Sequence, residues 1–337
     1  MKLKNFILSS LLFALLFAIG SSNQAFALML DVEKNTLSGG LQECNEFSPY
    51  ESLLIEEAYQ TRKNIEYSQE KSIGEYLNSY FSDANIEDLV TSVDKKDKIT
   101  AMNLMVQSLK CKTIENDMKI LMENYIKKYA PYAGDENLAD YASSLSEQSI
   151  STYASYNATS AVNYAYSWYN SYNTSKYPNC TNLGGDCANF VSQCLAAGGK
   201  ATDDKWYITK KNSNYLAPTT VSQLNNSWTL ADPSPWISAK QFNNYWGSKV
   251  GNETFEASYV YNNKSTIYNK DYYKGDVVQI LKKNNWWWDG YHTMIITNYS
   301  GGDFTLTYHT SNRKDVTLNS IANSYNSSNY AFKFFNM

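Results

Sequence analysis

The sequence holds only two histidines, His292 and His309, and only two arginines, Arg62 and Arg313. Scarce imidazole confines any histidine base or metal-binding nitrogen to two positions. Scarce arginine and a net charge of −4 argue against nucleic acid as a partner, because phosphate binding needs clustered Lys and Arg. Cysteine is sparse and odd in number: Cys44, Cys111, Cys180, Cys187 and Cys194. A secreted chain permits disulfides, but an odd count leaves one thiol over unless two chains are bridged. Cys180, Cys187 and Cys194 recur every seventh residue, whereas structural zinc separates paired cysteines by about two to four residues. No metal and no cofactor is expected. Beyond the first residues there is no apolar run that could span a bilayer.

What is present begins with an export signal. Lys2 and Lys4 precede an apolar run from Phe6 to Ile19, and Ala25-Phe26-Ala27 is a small-x-small cleavage site. Residues 1–27 read as a signal peptide. Its two lysines and no acids take the mature chain from −4 to −6. The expected product is a monomer that is secreted, extracellular or cell-wall-associated.

Residues 28–145 carry helical periodicity. Leu53, Leu54, Ile55, Ala58 and Ile65 repeat at helical spacing, and Ser48 with Glu51 resembles a capping box. "KITAMNLMVQSLK" and "IENDMKILMENYIKKYA" share that period. This half shows no site chemistry and reads as a spacer, a wall-facing module or a pro-segment; a Cys44–Cys111 bridge is one option. Ser-rich residues 146–156 mark a linker. From 157 to 337, Tyr, Asn and Trp rise. A helix follows Asn157, a second begins near Cys187 and ends at Gly198-Gly199, and residues 203–270 read as loop. "DVVQIL", "HTMIITNY", "DFTLTYHT" and "YAFKFF" then read as strands, with Ser300-Gly301-Gly302 as a turn. Helices followed by antiparallel strands define an α+β class.

Cys187 falls in the first turn of its helix, with Asp186 near the cap. Unpaired N–H groups and partial positive charge there favour an anion, a thiolate included, and can bind a developing oxyanion. The alternative is a buried or bridged cysteine, and the position alone divides evenly. A thiol nucleophile needs a base. His292 starts one strand and His309 ends the next, so a hairpin places both at one end of the sheet.

"GGDCANFVSQCLAAGG", "YKGDVVQI" and "GYHTMIITNYSGGDFTLTYHTSNRKDVTL" resemble the putative amidase domain of secreted Gram-positive bacterial proteins. That domain is related to the NlpC/P60 and CHAP groups of papain-like cysteine amidases. The resemblance covers about residues 155–337. It implies a papain-like domain in which a helix-borne cysteine packs on an antiparallel sheet, here preceded by a helical N-terminal domain. It implies Cys187 as nucleophile, His292 as general base and His309 as the third, orienting residue, with Asn312 as its competitor. Asn182 matches an oxyanion-hole position. Asp186, Trp286, Trp287, Trp288, Tyr291 and Trp206 are candidates for binding substrate, against a background in which most such aromatics are core or loop packing. The function implied is hydrolysis of amide bonds, in peptidoglycan or a peptide substrate, through a thioester. Two alternatives stand beside it: a non-catalytic wall- or peptide-binding module, and an acyltransferase using the same Cys–His site.

Overall fold

The structure is a computed structural model and describes residues 49–81, 85–111, 114–145 and 156–337. The signal peptide, Ser48 of the capping box, Cys44 and nearly all of the linker lie outside the described residues, as does the Cys111 side chain. The described residues fold as one compact unit.

The helical half contains α1 (Pro49–Phe81), α2 (Ile86–Thr91), α3 (Lys95–Cys111), α4 (Asn116–Ala133) and α5 (Glu136–Ser144). Left-handed Gly134 ends α4, and the Asp135 carboxylate caps α5 through the Leu138 N–H. Met102, Met105, Met122, Tyr125, Ile126 and Tyr129 make its core. The helix α1 belongs to two cores at once. Ile73 and Leu77 enter the helical cluster, while Ile55 and Tyr59 enter the core under the sheet.

The second half runs α6 (Ala158–Trp168), a short 3₁₀ turn, α7 (Cys187–Ala197), β1 (Ile208–Lys210), α8 (Val221–Ser227), β2 (Trp228–Leu230), α9 (Ala239–Gly247), β3 (Asn252–Glu256), α10 (Ala257–Asn262), α11 (Lys264–Tyr268), β4 (Val277–Asn284), β5 (Trp287–Ser300), β6 (Asp303–Tyr308), β7 (Arg313–Thr317), α12 (Leu318–Ser324) and β8 (Tyr330–Phe335). Six strands form an antiparallel sheet in the order β3-β8-β4-β5-β6-β7. Alternation along the strands builds two cores from neighbouring residues. Val277 and Ile295 face α6, α7 and α9, whereas Val278, Met294 and Ile296 face α10, α11, α12 and the start of α1. This is the α+β class expected.

The expectation of loop across 203–270 is corrected. That stretch holds a two-stranded ribbon, β3 and four helices of nine residues or fewer. Elements this short carry too few turns for a periodic pattern to register. The edge strand β7, "RKDVT", escaped notice because its one fully buried residue is Val316.

Candidate functional site

The approach to Cys187 is bare backbone. After the 3₁₀ turn Thr181–Leu183, Gly184 (φ 91°) and Gly185 (φ 89°) take left-handed conformations, and Cys187 then opens α7. Asn182 sits exposed on that turn. Asp186 is sealed rather than open to substrate. Its carboxylate accepts from the Cys180 N–H at 2.7 Å and from Asn189 Nδ2 at 2.7 Å, and it meets His309 Nδ1 at 2.6 Å. It makes no side-chain cap on α7, so its carboxylate leaves the first-turn N–H groups alone. Asp186 therefore shapes the turn that carries the cysteine.

Cys180, Cys187 and Cys194 are free thiols and all buried. Burial pushes the Cys180 and Cys194 thiols well up, and for Cys180 the Asp186 carboxylate adds to it, which suits inert packing cysteines. Cys187 is 1% exposed. Its sulfur does not stand at an open cleft mouth.

The two histidines share one end of the sheet but point to opposite faces. Tyr308 and His309 are consecutive and alternate. The Tyr308 ring meets the His292 ring at 5.0 Å, while His309 stacks on Phe190 of α7 at 4.0 Å. Both His309 nitrogens are engaged, Nδ1 by Asp186 and Nε2 by the Trp168 carbonyl at 2.8 Å. The expected contact of His309 on the far nitrogen of His292 is absent. Asn312, at φ 55°, exchanges hydrogen bonds with the Tyr172 hydroxyl and does not reach that ring either. His292 is fully buried, and neither ring nitrogen has a hydrogen-bond partner. No Cys187–His292 hydrogen bond is formed. Burial, and then the nearby Arg62 guanidinium, push the imidazole down to about 3. It is a neutral ring with both nitrogens unused.

Arg62 was not foreseen as part of this region. Its guanidinium donates from Nη1 to the Gly184 carbonyl and from Nη2 to the Tyr291 carbonyl at 2.5 Å. One planar fork thus ties the loop three residues before Cys187 to the strand residue before His292, placing those two backbone segments side by side. A signal did exist. Ile55, Ala58, Tyr59 and Arg62 share one helical stripe, and a charge on a buried stripe calls for partners.

None of the aromatic candidates lines the groove beside Arg62. Trp206 is fully buried, donates to the Ser192 hydroxyl and stacks among Trp236, Tyr245 and Trp246. Trp286 and Trp287 pack on Tyr129, and Trp287 donates to Asp289. Trp288 lies against Lys283. The Tyr291 hydroxyl donates to Glu56. Trp286, Trp287 and Tyr291 tie the hairpin to α1 and the helical half.

A buried charge network backs them. Lys128 stands 3.4 Å from Glu66, 3.6 Å from Glu70 and 3.8 Å from Asp289, and Lys240 stands 2.8 Å from Glu66. Burial alone would raise Asp289, but Lys128 and Lys240 hold it at about 2. A groove of about 90 Å³ is lined by α1 (Arg62, Gln69), by the segment bearing Leu224, Leu230 and Pro233, and by Leu183. Among the described residues no His, Cys, Asp and Glu group is placed to hold a metal ion, and no helix is long and apolar enough to cross a membrane.

Comparison with known proteins gives one match. The profile of the putative amidase domain matches residues 155–333, from the approach to α6 into β8. No curated protein and no solved structure matches the chain. The match spans 179 of 337 residues, counting 155 through 333, and contains Cys187, His292 and His309. The chain therefore belongs to the putative amidase domain family, and amide hydrolysis is the general activity that this membership supports.

Proposed function

We propose that the chain is a secreted, cysteine-dependent amidase of papain-like layout, with Cys187 as nucleophile and His292 as base, acting on amide bonds of cell-wall peptidoglycan. The observation that carries this reading is the His292 ring. Buried polar groups are nearly always bonded, and leaving one unpaired costs about 1–3 kcal/mol. A fully buried imidazole with two idle nitrogens, on a strand that Arg62 ties to the loop before Cys187, is the group such a reaction would use.

The chemistry follows from the residue types. His292, kept neutral, takes the Cys187 proton as sulfur attacks the amide carbonyl. The oxyanion gathers at the first-turn N–H groups of α7 that Asp186 leaves uncapped. His292 returns the proton to the leaving amine and a thioester remains. Water adds with His292 again as base, releasing the carboxylic acid and restoring the thiol. His309 contributes at one remove, by fixing Asp186 and with it the cysteine turn.

One competing reading has an observation behind it. The sealed thiol and the missing Cys–His bond also fit a non-catalytic domain that binds walls or peptides. Amine release from purified cell walls separates the two. Cys187→Ala and His292→Ala should each lower hydrolysis by about a thousandfold or more. Equal hydrolysis by wild type and Cys187→Ala would end the nucleophile assignment.

A further inference from the structure

We infer that the first half of α1 is an inhibitory strap, lying over the Cys187 turn and the His292 strand, and that it must lift before an amide can reach the sulfur. The inference rests on the cysteine-amidase reading, and its test is read separately from it. The family match starts at residue 155, so α1 lies outside the domain that carries the reacting pair. Cys187 is 1% and His292 0% exposed, so neither offers a face to a substrate carbonyl, and α1 meets the loop before Cys187 and the strand residue before His292 through Arg62.

The fit between strap and site is close. A Cβ on Gly184 would stand 2.5 Å from Arg62 Cγ, and one on Gly185 2.9 Å from Ala58 Cβ. The bare backbone before Cys187 is thus filled by two side chains of α1. The remaining ties combine Ile55 and Tyr59 in the core under the sheet with a set of polar contacts. Glu51 accepts from the Tyr308 hydroxyl, Ser311 and Arg313. Glu56 accepts from Lys282 and Tyr291. The Tyr59 hydroxyl donates to Asp289. The second half of α1 is held separately, by the apolar cluster around Ile73 and Leu77. Arg62 also blocks the chemistry directly: its positive charge opposes the imidazolium that proton transfer from sulfur would create. A groove beside Arg62 has Leu183 in its lining.

The test uses the full chain. Iodoacetamide labelling of Cys187, mapped by peptide mass, is compared for wild type, Arg62→Met and Glu51→Gln, alongside amide hydrolysis. Wild type should label slowly. Each variant loses charge-assisted bonds, and labelling should rise about tenfold or more, with hydrolysis following. Faster labelling without hydrolysis supports the strap and refutes the amidase. Unchanged or slower labelling in both variants overturns the strap, as does fast labelling of wild type. Should either variant fail to fold, hydrogen exchange of wild type decides. Ile55–Arg62 should open below the global unfolding free energy, and exchange of that segment only through global unfolding overturns the proposal.

Discussion

Acid should weaken this protein through His292 in a calculable way. The imidazole titrates near 6.5 when unfolded and is pushed down to about 3 when folded. Between those values the unfolded chain binds a proton that the folded chain refuses, so stability falls as pH drops through that window and is fully present above it. Each unit inside the window costs about 1.4 kcal/mol. Moving from pH 7 to pH 5 crosses roughly one and a half units of it, which predicts a loss of about 2 kcal/mol. Urea unfolding of wild type and His292→Gln at both values measures it. Asp276 and Asp289, which are also perturbed, contribute to both proteins and cancel in the difference. Wild type should lose about 2 kcal/mol more than the variant. Parallel losses would mean that His292 is hydrated in the folded state, and the account of a sealed neutral base would fail.

Two further outcomes concern the buried polar groups. Asp186→Asn removes the carboxylate that serves Cys180, Asn189 and His309, and should cost about 2–4 kcal/mol in urea unfolding. Lys128→Met takes the ion-pair cation from buried Asp289 and leaves Glu66 to Lys240 and Glu70 to Lys98, and should cost about 3 kcal/mol or more, seen as a lower Tm.

Much of the scaffold was legible because its signals are local. Asn157 does cap α6 through Ser160, and Gly301 and Gly302 do turn β5 into β6 with positive φ. The strands of the hairpin and the final strand lie where their β-branched and aromatic runs put them. The site was legible only in part, because what decides it is non-local. The Ser300–Gly302 turn fixes which strand ends meet, and so puts His292 and His309 at one end. The face each occupies depends on register and on the bulge at Ile280/Leu281, which leaves Tyr291 as an extra residue. Alternation then sends His309 to Asp186 and His292 to Tyr308. The role of Arg62 depends on α1 crossing a sheet formed more than two hundred residues later, and only its place on a buried stripe hinted at it. The tryptophans resembled a binding surface by composition, but composition does not say what a ring faces.

The backbone of α1 is helical without interruption from Pro49 to Phe81, and this makes it a lever. Arg62 and Ile73 are eleven residues apart, about 16 Å along a rigid rod. A rotation of about 10° pivoting at Ile73 swings the guanidinium through about 3 Å, beyond the reach of both carbonyls it grips. A small tilt of the rod is therefore enough to release both grips at once.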